Sequence, residues 1–307
     1  MDVLSEVLDI SGVRGSAGAR VVAGGDWGVE WVRDRDAVVY TVTAGIAYLT
    51  VDGEAPRLLM TGDVVILATG AAHALSSAPG TDIHSCDVAA ASDARRRGDV
   101  LRLGDGDVQT QILGASYSHD PAGSTPVFAL LPPVVQFRAQ QLDATLTDVV
   151  RLLGKELAHP GLATSLVLDR LVDVLLIEVL RTWLATSPQA DASWWGVLRD
   201  PLLLRAVTRM HEDPGHPWTT ESLARAVATS KQTLTRRFST FAGTTPGAYL
   251  TRWRMDLAAH RLRDTDDTLE QIAADVGYTS VYAFSRAFRR ERSSPPGRYR
   301  TAARAGY

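Results

Sequence analysis

One short pattern occurs twice between residues 229 and 300, and no other feature limits the fold as tightly. Ser230-Lys-Gln-Thr-Leu-Thr-Arg236-Arg-Phe238, with Pro246-Gly247 and Tyr249 behind it, returns fifty residues later as Ser280-Val-Tyr-Ala-Phe-Ser-Arg286-Ala-Phe288, with Pro296-Gly297 and Tyr299. Each copy starts on a hydroxyl residue suited to cap a helix, then sets an Arg and a Phe on different faces of it. A unit that returns with its cap, its inward aromatic and its Pro-Gly intact is a folding module. Two helix-turn-helix modules are expected.

The surrounding sequence completes an all-α domain. Leu202-Leu-Leu204, Val207 and Met210 predict an amphipathic helix closed by Asp213-Pro214-Gly215, and Thr219 caps the next, with Leu223, Ala224 and Val227 inward. A helix from Lys231 to Phe241 ends at Gly243, and Pro246 opens a longer one through Leu262 with Tyr249, Leu250, Trp253 and Leu257 on its apolar stripe. Thr268-Leu-Glu-Gln271 has the form of a capping box, Ile272, Ala273 and Val276 face inward, and Gly277 makes the turn before Ser280. Seven helices with short connections are predicted after Pro201.

Charge separates this region from the rest. Residues 201–307 carry 17 Lys+Arg against 10 Asp+Glu and the first 200 carry 15 against 25, so balances of +7 and −10 sum to the net −3. A basic domain beside an acidic one points to a polyanion partner for the former. Cys86 is the one cysteine, which excludes an intramolecular disulfide and a multi-thiolate metal site. The longest apolar helical run, 172–184, is broken by Asp173, Glu178 and Arg181, so no membrane span is expected. Met1-Asp-Val-Leu-Ser-Glu has no basic n-region, and a cytoplasmic chain is expected.

Residues 38–117 read as short strands separated by turn residues. Val38–Val42 precedes Gly45, Ala47–Val51 precedes Asp52-Gly53, Leu58–Met60 precedes Thr61-Gly62-Asp63, and Val64–Leu67 precedes Thr69-Gly70. Asp-Gly between two β-rich runs is a hairpin signal, and many short strands at this spacing predict a sandwich or jelly-roll barrel. Gly104-Asp-Gly106-Asp107 lacks calcium-loop spacing and is expected to be a turn, and Ala89–Asp99, with Arg95-Arg-Arg97, an exposed connection.

Between the two regions, Leu142, Leu146, Val149, Val150, Leu153 and Leu157 predict a helix stopped by His159-Pro160-Gly161, and Leu162–Leu184 a second, apolar around much of its circumference. Such a helix must be covered on more than one side, either between domains or against its copy in a homodimer. Thr186–Ser193 is polar and aperiodic and is the candidate linker. The expected organisation is 1–137 all-β, 138–198 a helical linker pair, and 199–307 the double helix-turn-helix domain.

Gly62-Asp-Val-Val-Ile-Leu-Ala-Thr-Gly70-Ala-Ala-His73 resembles the second cupin motif, with Ala68 in place of the family's Pro. Metal-dependent cupins draw a His-x-His pair and a Glu from the preceding motif, but residues 38–53 contain Tyr40 and no histidine. One imidazole does not hold a divalent ion against water, so neither a metal nor a catalytic group is assigned, and no cofactor is expected. His73 is read as a hydrogen-bonded polar residue of the barrel mouth or as a contact for a small effector, and His84 and His119 as structural or solvated. Trp27, Trp31, Tyr40 and Tyr48 with His73 form the candidate effector pocket, the alternative being plain core.

Trp218-Thr-x-Glu221-x-Leu-Ala224, Ser230-x-x-x-Leu-x-Arg-x-Phe238, Gly243-x-Thr-Pro246-x-x-Tyr-Leu250, Val276-Gly-Tyr-x-Ser280, Phe284-Ser-Arg-Ala-Phe288 and Pro296-Gly-x-Tyr299 together resemble the DNA-binding domain of the AraC/XylS family of transcription regulators. The first half, with its cupin-like motif and His159-Pro-Gly161, is similar to the cupin-type effector domain of one branch. The resemblance implies that Gln232, Thr235 and Arg236 read bases from the first module, with Lys231 and Ser239 on phosphate. In the second module it implies Val281, Tyr282, Ser285 and Arg286 at the bases and Arg289 and Arg290 at the backbone. Gln suits adenine and Arg guanine, whereas Val281 and Tyr282 offer few hydrogen bonds, so the first module is expected to carry more of the specificity. The alternative for each Arg is an intradomain salt bridge.

A linking helix of about 17 residues spans about 25 Å, which suits two recognition helices entering successive major-groove segments about 34 Å apart. The sequence departs from the family at Ala228, where glycine is common, at Ser293 opposite Gly243, and at Pro295-Pro296 opposite Thr245-Pro246.

The expectation is a sequence-specific transcription regulator of promoter DNA, controlled by a small-molecule effector or by dimerisation, with RNA polymerase as a further partner if it activates. The alternatives are a metal-dependent cupin enzyme with a DNA-binding appendage and a regulator whose barrel only oligomerises.

Overall fold

The computed structural model describes residues 2–31, 36–68, 71–86, 91, 100–118, 127–128 and 130–305. The Thr69-Gly70 turn, Arg95-Arg-Arg97 and His119 lie outside the described residues. The chain forms two compact units, one of 14–118 with 131–187, the other of 1–13 with 119–130 and 188–307.

The first unit holds eleven strands among the described residues, β1 (Arg14–Ala23), β2 (Gly28–Trp31), β3 (Ala37–Ala44), β4 (Ile46–Val51), β5 (Arg57–Met60), β6 (Val64–Leu67), β7 (His73–Ser76), β8 (His84–Ser85), β9 (Val100–Leu103), β10 (Thr110–Ser118) and β11 (Val134–Phe137). They pair into two sheets of order β11-β6-β3-β10-β1-β9 and β5-β4-β7-β2-β8. Alternation along β4 turns Ala47, Leu49 and Val51 into a common core with Val42, Val65 and Leu67 of the facing sheet and Leu75 of β7. Asp52 and Gly53 sit at φ 46° and 76°, the left-handed pair that an Asp-Gly hairpin turn requires.

Two helices cover this unit, α2 (Ala144–Ala158) and α3 (Thr164–Thr186). Asp143 caps α2 by accepting from Leu146 N at 2.8 Å, and its inward row is Leu146, Val149, Val150, Leu153 and Leu157, as the spacing predicts. The carboxylates of α3 complete the sheet. Strand β9 reaches only Arg20–Ala23 of β1, and beyond it Asp169 and Asp173 accept from Ala17 N at 3.0 Å and Gly15 N at 3.1 Å. Buried backbone donors need such partners where a ladder stops. One face of α3 is buried from Leu168 to Trp183, while Leu162 and Leu166 remain exposed.

In the second unit α1 (Val3–Ile10), capped by Asp2, precedes α4 (Gly196–Arg199), α5 (Pro201–Glu212), α6 (Thr220–Ala226), α7 (Lys231–Ala242), α8 (Pro246–Asp264), α9 (Leu269–Asp275), α10 (Val281–Arg292) and α11 (Pro296–Ala305). The seven helices after Pro201 match the prediction. The boundary between the two units, at Ser187/Pro188, falls within the stretch read as a polar linker, where Pro188–Ala192 forms a 3-10 turn with Ala190 buried.

The first helix of the chain thus belongs with the last seven. Val3 and Val7 are buried, and Glu6 Oε2 accepts from His211 Nδ1 on α5 at 2.8 Å. The other ring nitrogen, Nε2, accepts from Tyr249 OH on α8 at 2.9 Å, and the imidazole lies parallel to Trp253 with centroids 3.5 Å apart. With no exposed side-chain surface, His211 is pushed down to about 3 by burial and is neutral, while burial raises the Glu6 carboxyl.

Candidate nucleic-acid interface and ligand cavity

Each recognition helix follows from its cap and its inward pair. Ser230 Oγ accepts from Thr233 N at 3.1 Å and starts α7, and Leu234 and Phe238, one turn apart, are wholly buried. The opposite side carries exposed Lys231, Gln232, Arg236 and Ser239, with Thr235 half-buried. In α10, Ser280 Oγ accepts from Ala283 N at 3.2 Å, Phe284 and Phe288 are buried, and Tyr282, Arg286, Arg289 and Arg290 are exposed, with Val281 and Ser285 half-buried. The fifty-residue pattern therefore places equivalent side chains on equivalent outer faces.

Neither Arg236 nor Arg286 forms an ion pair among the described residues. The Arg286 guanidinium carbon lies 5.8 Å from the Tyr282 ring centroid, within cation–π range, whereas Lys231 Nζ is engaged by Glu221 of α6 and Arg290 Nε by Glu291 at 3.3 Å.

Other arginines hold the scaffold. Arg237 pairs with Asp200 at 2.5 Å, Arg254 donates to Pro214 O at 2.6 Å and His216 O at 2.9 Å, and Arg261 joins Asp267 and Asp275. Arg292, at the end of α10, makes a buried ion pair with Asp256 of α8, which fixes the second recognition helix on the linking helix. Arg292 follows the inward spacing of Phe284 and Phe288, and that phase is the signal that separates it from Arg289 and Arg290.

The turns entering the two recognition helices are unequal. Helix α6 ends with Thr229 N donating to Ala224 O and Ala228 N to Arg225 O, and α9 ends with the matching bonds from Tyr278 to Ala273 and Gly277 to Ala274. Both are Schellman ends, which place the residue after the C-cap in the left-handed region. Ala228 occupies it at φ 56° and Gly277 at φ 80°; Ser293 at φ 56° does the same where the first module has Gly243 at φ 61°. The caps Thr219 and Thr268 are 49 residues apart but Ser230 and Ser280 are 50 apart, so the second turn is one residue longer.

In the β unit, Trp31, Tyr40 and His73 come together. His73 Nδ1 donates to Ala71 O at 2.8 Å, which fixes the tautomer, and Nε2 accepts from Tyr40 OH at 2.7 Å. Trp31 stacks on the imidazole with centroids 5.4 Å apart and planes 13° apart. Burial lowers the His73 pKa and raises that of Tyr40. Tyr48 stands on the face of β4 opposite Ala47, Leu49 and Val51, away from this cluster. Trp27 instead lines a cavity of about 790 Å³ bordered by β2, β8 and β9. Val29, Cys86, Leu101 and Leu103 form its apolar side, and the sequence marked none of them as lining a cavity.

A family model described as a cupin matches residues 2–185, and one described as a helix-turn-helix domain matches residues 223–302. Over 302 residues the chain is 36% identical to an AraC-like transcription regulator of Streptomyces lividans, covering 98% of both chains. The chain belongs to the AraC-like transcription regulators. A second AraC-like relative, from Streptomyces antibioticus, is 36% identical over 307 residues, and the HTH-type transcriptional regulator MtrA of Neisseria gonorrhoeae is 30% identical over 307, each covering 98% of both chains. The duplicated outer faces of α7 and α10 are thus those of an AraC-type helix-turn-helix domain. No helix among the described residues is long and apolar enough to cross a membrane.

Proposed function

We propose that this AraC-like regulator acts in the cytoplasm, reads a two-part promoter site through α7 and α10, and changes its hold on that site when a small molecule occupies the β unit. The observation that carries the reading is the pair of equivalent exposed faces, each with an arginine that forms no ion pair among the described residues. Gln232, Thr235 and Arg236 read bases from α7, and Val281, Tyr282, Ser285 and Arg286 from α10. Lys231, Ser239, Arg289 and Arg290 hold phosphate, a contact that positions without specifying sequence. The work is binding free energy shifted by a ligand, with no catalytic step.

Exposed Leu162, just before α3, and Leu166 on it support homodimerisation, and RNA polymerase is the further partner if the regulator activates.

Selection of full-length protein against a randomised duplex library tests the DNA reading. The wild type is expected to enrich a bipartite motif, with Arg236→Ala flattening one part and Arg286→Ala the other. Identical motifs from both variants and wild type would overturn the assignment of base readers.

A further inference from the structure

Among the described residues, β8 and β9 are edge strands of different sheets and do not pair with each other, and the cavity of about 790 Å³ is lined by both. Its size suits a drug-sized molecule. The apolar side, Trp27, Val29, Cys86, Leu101 and Leu103, belongs to or packs against the core shared by the two sheets. Both side walls are tied down. On one, Trp27 N donates to Ser77 Oγ at 3.2 Å and Ser77 N to Trp27 O at 2.8 Å, and Gly28 lets the Asp82 carbonyl approach so closely that a Cβ would stand 2.5 Å from it. On the other, Gly24 N donates to Leu103 O at 3.1 Å. A site with pinned walls costs little to order on binding.

The polar lining is unbalanced. Among the described residues of the lining, Asp26, Asp82 and Asp105 stand on the turns at the wall ends, against Arg102 as the one guanidinium, with His84 beside them. An anion there meets three carboxylates, and a neutral ligand leaves the imbalance uncompensated. A cation with an apolar body satisfies both the rim and the core side.

Resting on the proposal that a small molecule controls this regulator, we infer that the gap between β8 and β9 is its ligand site and that the ligand is a lipophilic cation, an ammonium or delocalised cation on an apolar or aromatic body. The cluster of Trp31, Tyr40 and His73, closed by its own stacking and hydrogen bonds, is not among the described residues that line this cavity.

The experiment uses the full chain and two probes of like shape and opposite charge, tetraphenylphosphonium and tetraphenylborate. Calorimetry is expected to show the cation binding at least about tenfold more tightly, a difference lost in Asp26→Asn/Asp82→Asn/Asp105→Asn. Cys86, the only cysteine, reports location, and bound tetraphenylphosphonium is expected to slow its alkylation by N-ethylmaleimide. Equal affinity for the two probes, or cation binding that leaves Cys86 alkylation unchanged, overturns the inference. Protection of Cys86 by the borate alone overturns the ligand class and leaves small-molecule control standing. Control itself fails separately, if a ligand that protects Cys86 does not alter affinity for the selected DNA motif.

Discussion

Acidification should loosen the helical unit through one residue. In the folded chain burial pushes His211 down to about 3, whereas an unfolded histidine titrates near its ordinary 6.5. Between those values the unfolded chain binds a proton that the folded one refuses, so stability is fully present above about 6.5 and falls as pH is lowered toward 3. The slope is about 1.4 kcal/mol per pH unit, so at pH 5 the loss is about 2 kcal/mol, a large part of a domain's margin. Glu6 acts in the opposite sense, since its raised pKa lets the folded state bind a proton more readily than the unfolded one below that value.

Amide exchange of the full chain, followed on peptides from 201–212 and 246–264 at pH 7 and pH 5 and corrected for intrinsic rates, measures the slope locally. His211→Gln should lower protection at both pH values yet flatten its dependence on pH, and Glu6→Gln should steepen it. An unchanged slope in His211→Gln would refute the reasoning, whatever the variant's overall stability.

Four further outcomes follow from geometry. Ala228→Gly and Ser293→Gly should each stabilise by about 0.5–1 kcal/mol, the relief of a left-handed Cβ less the added chain entropy, read as a rise in Tm by calorimetry. Gly277→Ala should do the reverse, since its Cβ would stand 2.7 Å from the Gly215 carbonyl. Asp256→Asn leaves the Arg292 guanidinium buried without its counter-charge and should cost about 3 kcal/mol in urea unfolding, with Asp256→Leu/Arg292→Met recovering most of the loss. Glu221→Gln releases Lys231 at the start of α7 and should tighten DNA about two- to fivefold at low salt, a gain that fades as salt is raised.

The helical unit after Pro201 was legible because its signals are local. Caps at Ser230 and Ser280, inward aromatics one turn apart and glycines at turns each act within a few residues, and duplication repeats the signal. Strands β3 to β6 were legible for the same reason, through Asp52-Gly53 and Gly62. What pairs with what in the β unit was not, since β1 joins β10 across most of the unit and the gap at β8 and β9 follows from which strands are left unpaired. Trp27 and Tyr48 look alike in sequence, and only strand register sends one to the cavity and the other to the opposite face.

Glu6 and His211 are 205 positions apart and carry no mutual signal, and α1 itself was not among the expected helices. The outer positions of α7 and α10 were readable from phase. Their partners, Glu221 for Lys231 and the Tyr282 ring for Arg286, depend on rotamers that phase does not fix.

The docking of α1 on α5 and α8 also has a consequence for how the chain is made. Helix α1 is synthesised before the β unit, and the bed that receives it is not complete until more than two hundred residues later. Meanwhile the β unit can fold, since its own segments, 14–118 and 131–187, emerge together. Until synthesis passes α8, Val3, Val7 and Glu6 wait without their partners. The helical unit can therefore close around α1 only once α8 has been synthesised. A fragment that begins at residue 14 or ends at 187 leaves either the bed or the helix with a bare apolar face, so soluble expression of isolated halves is a poor guide to the intact regulator.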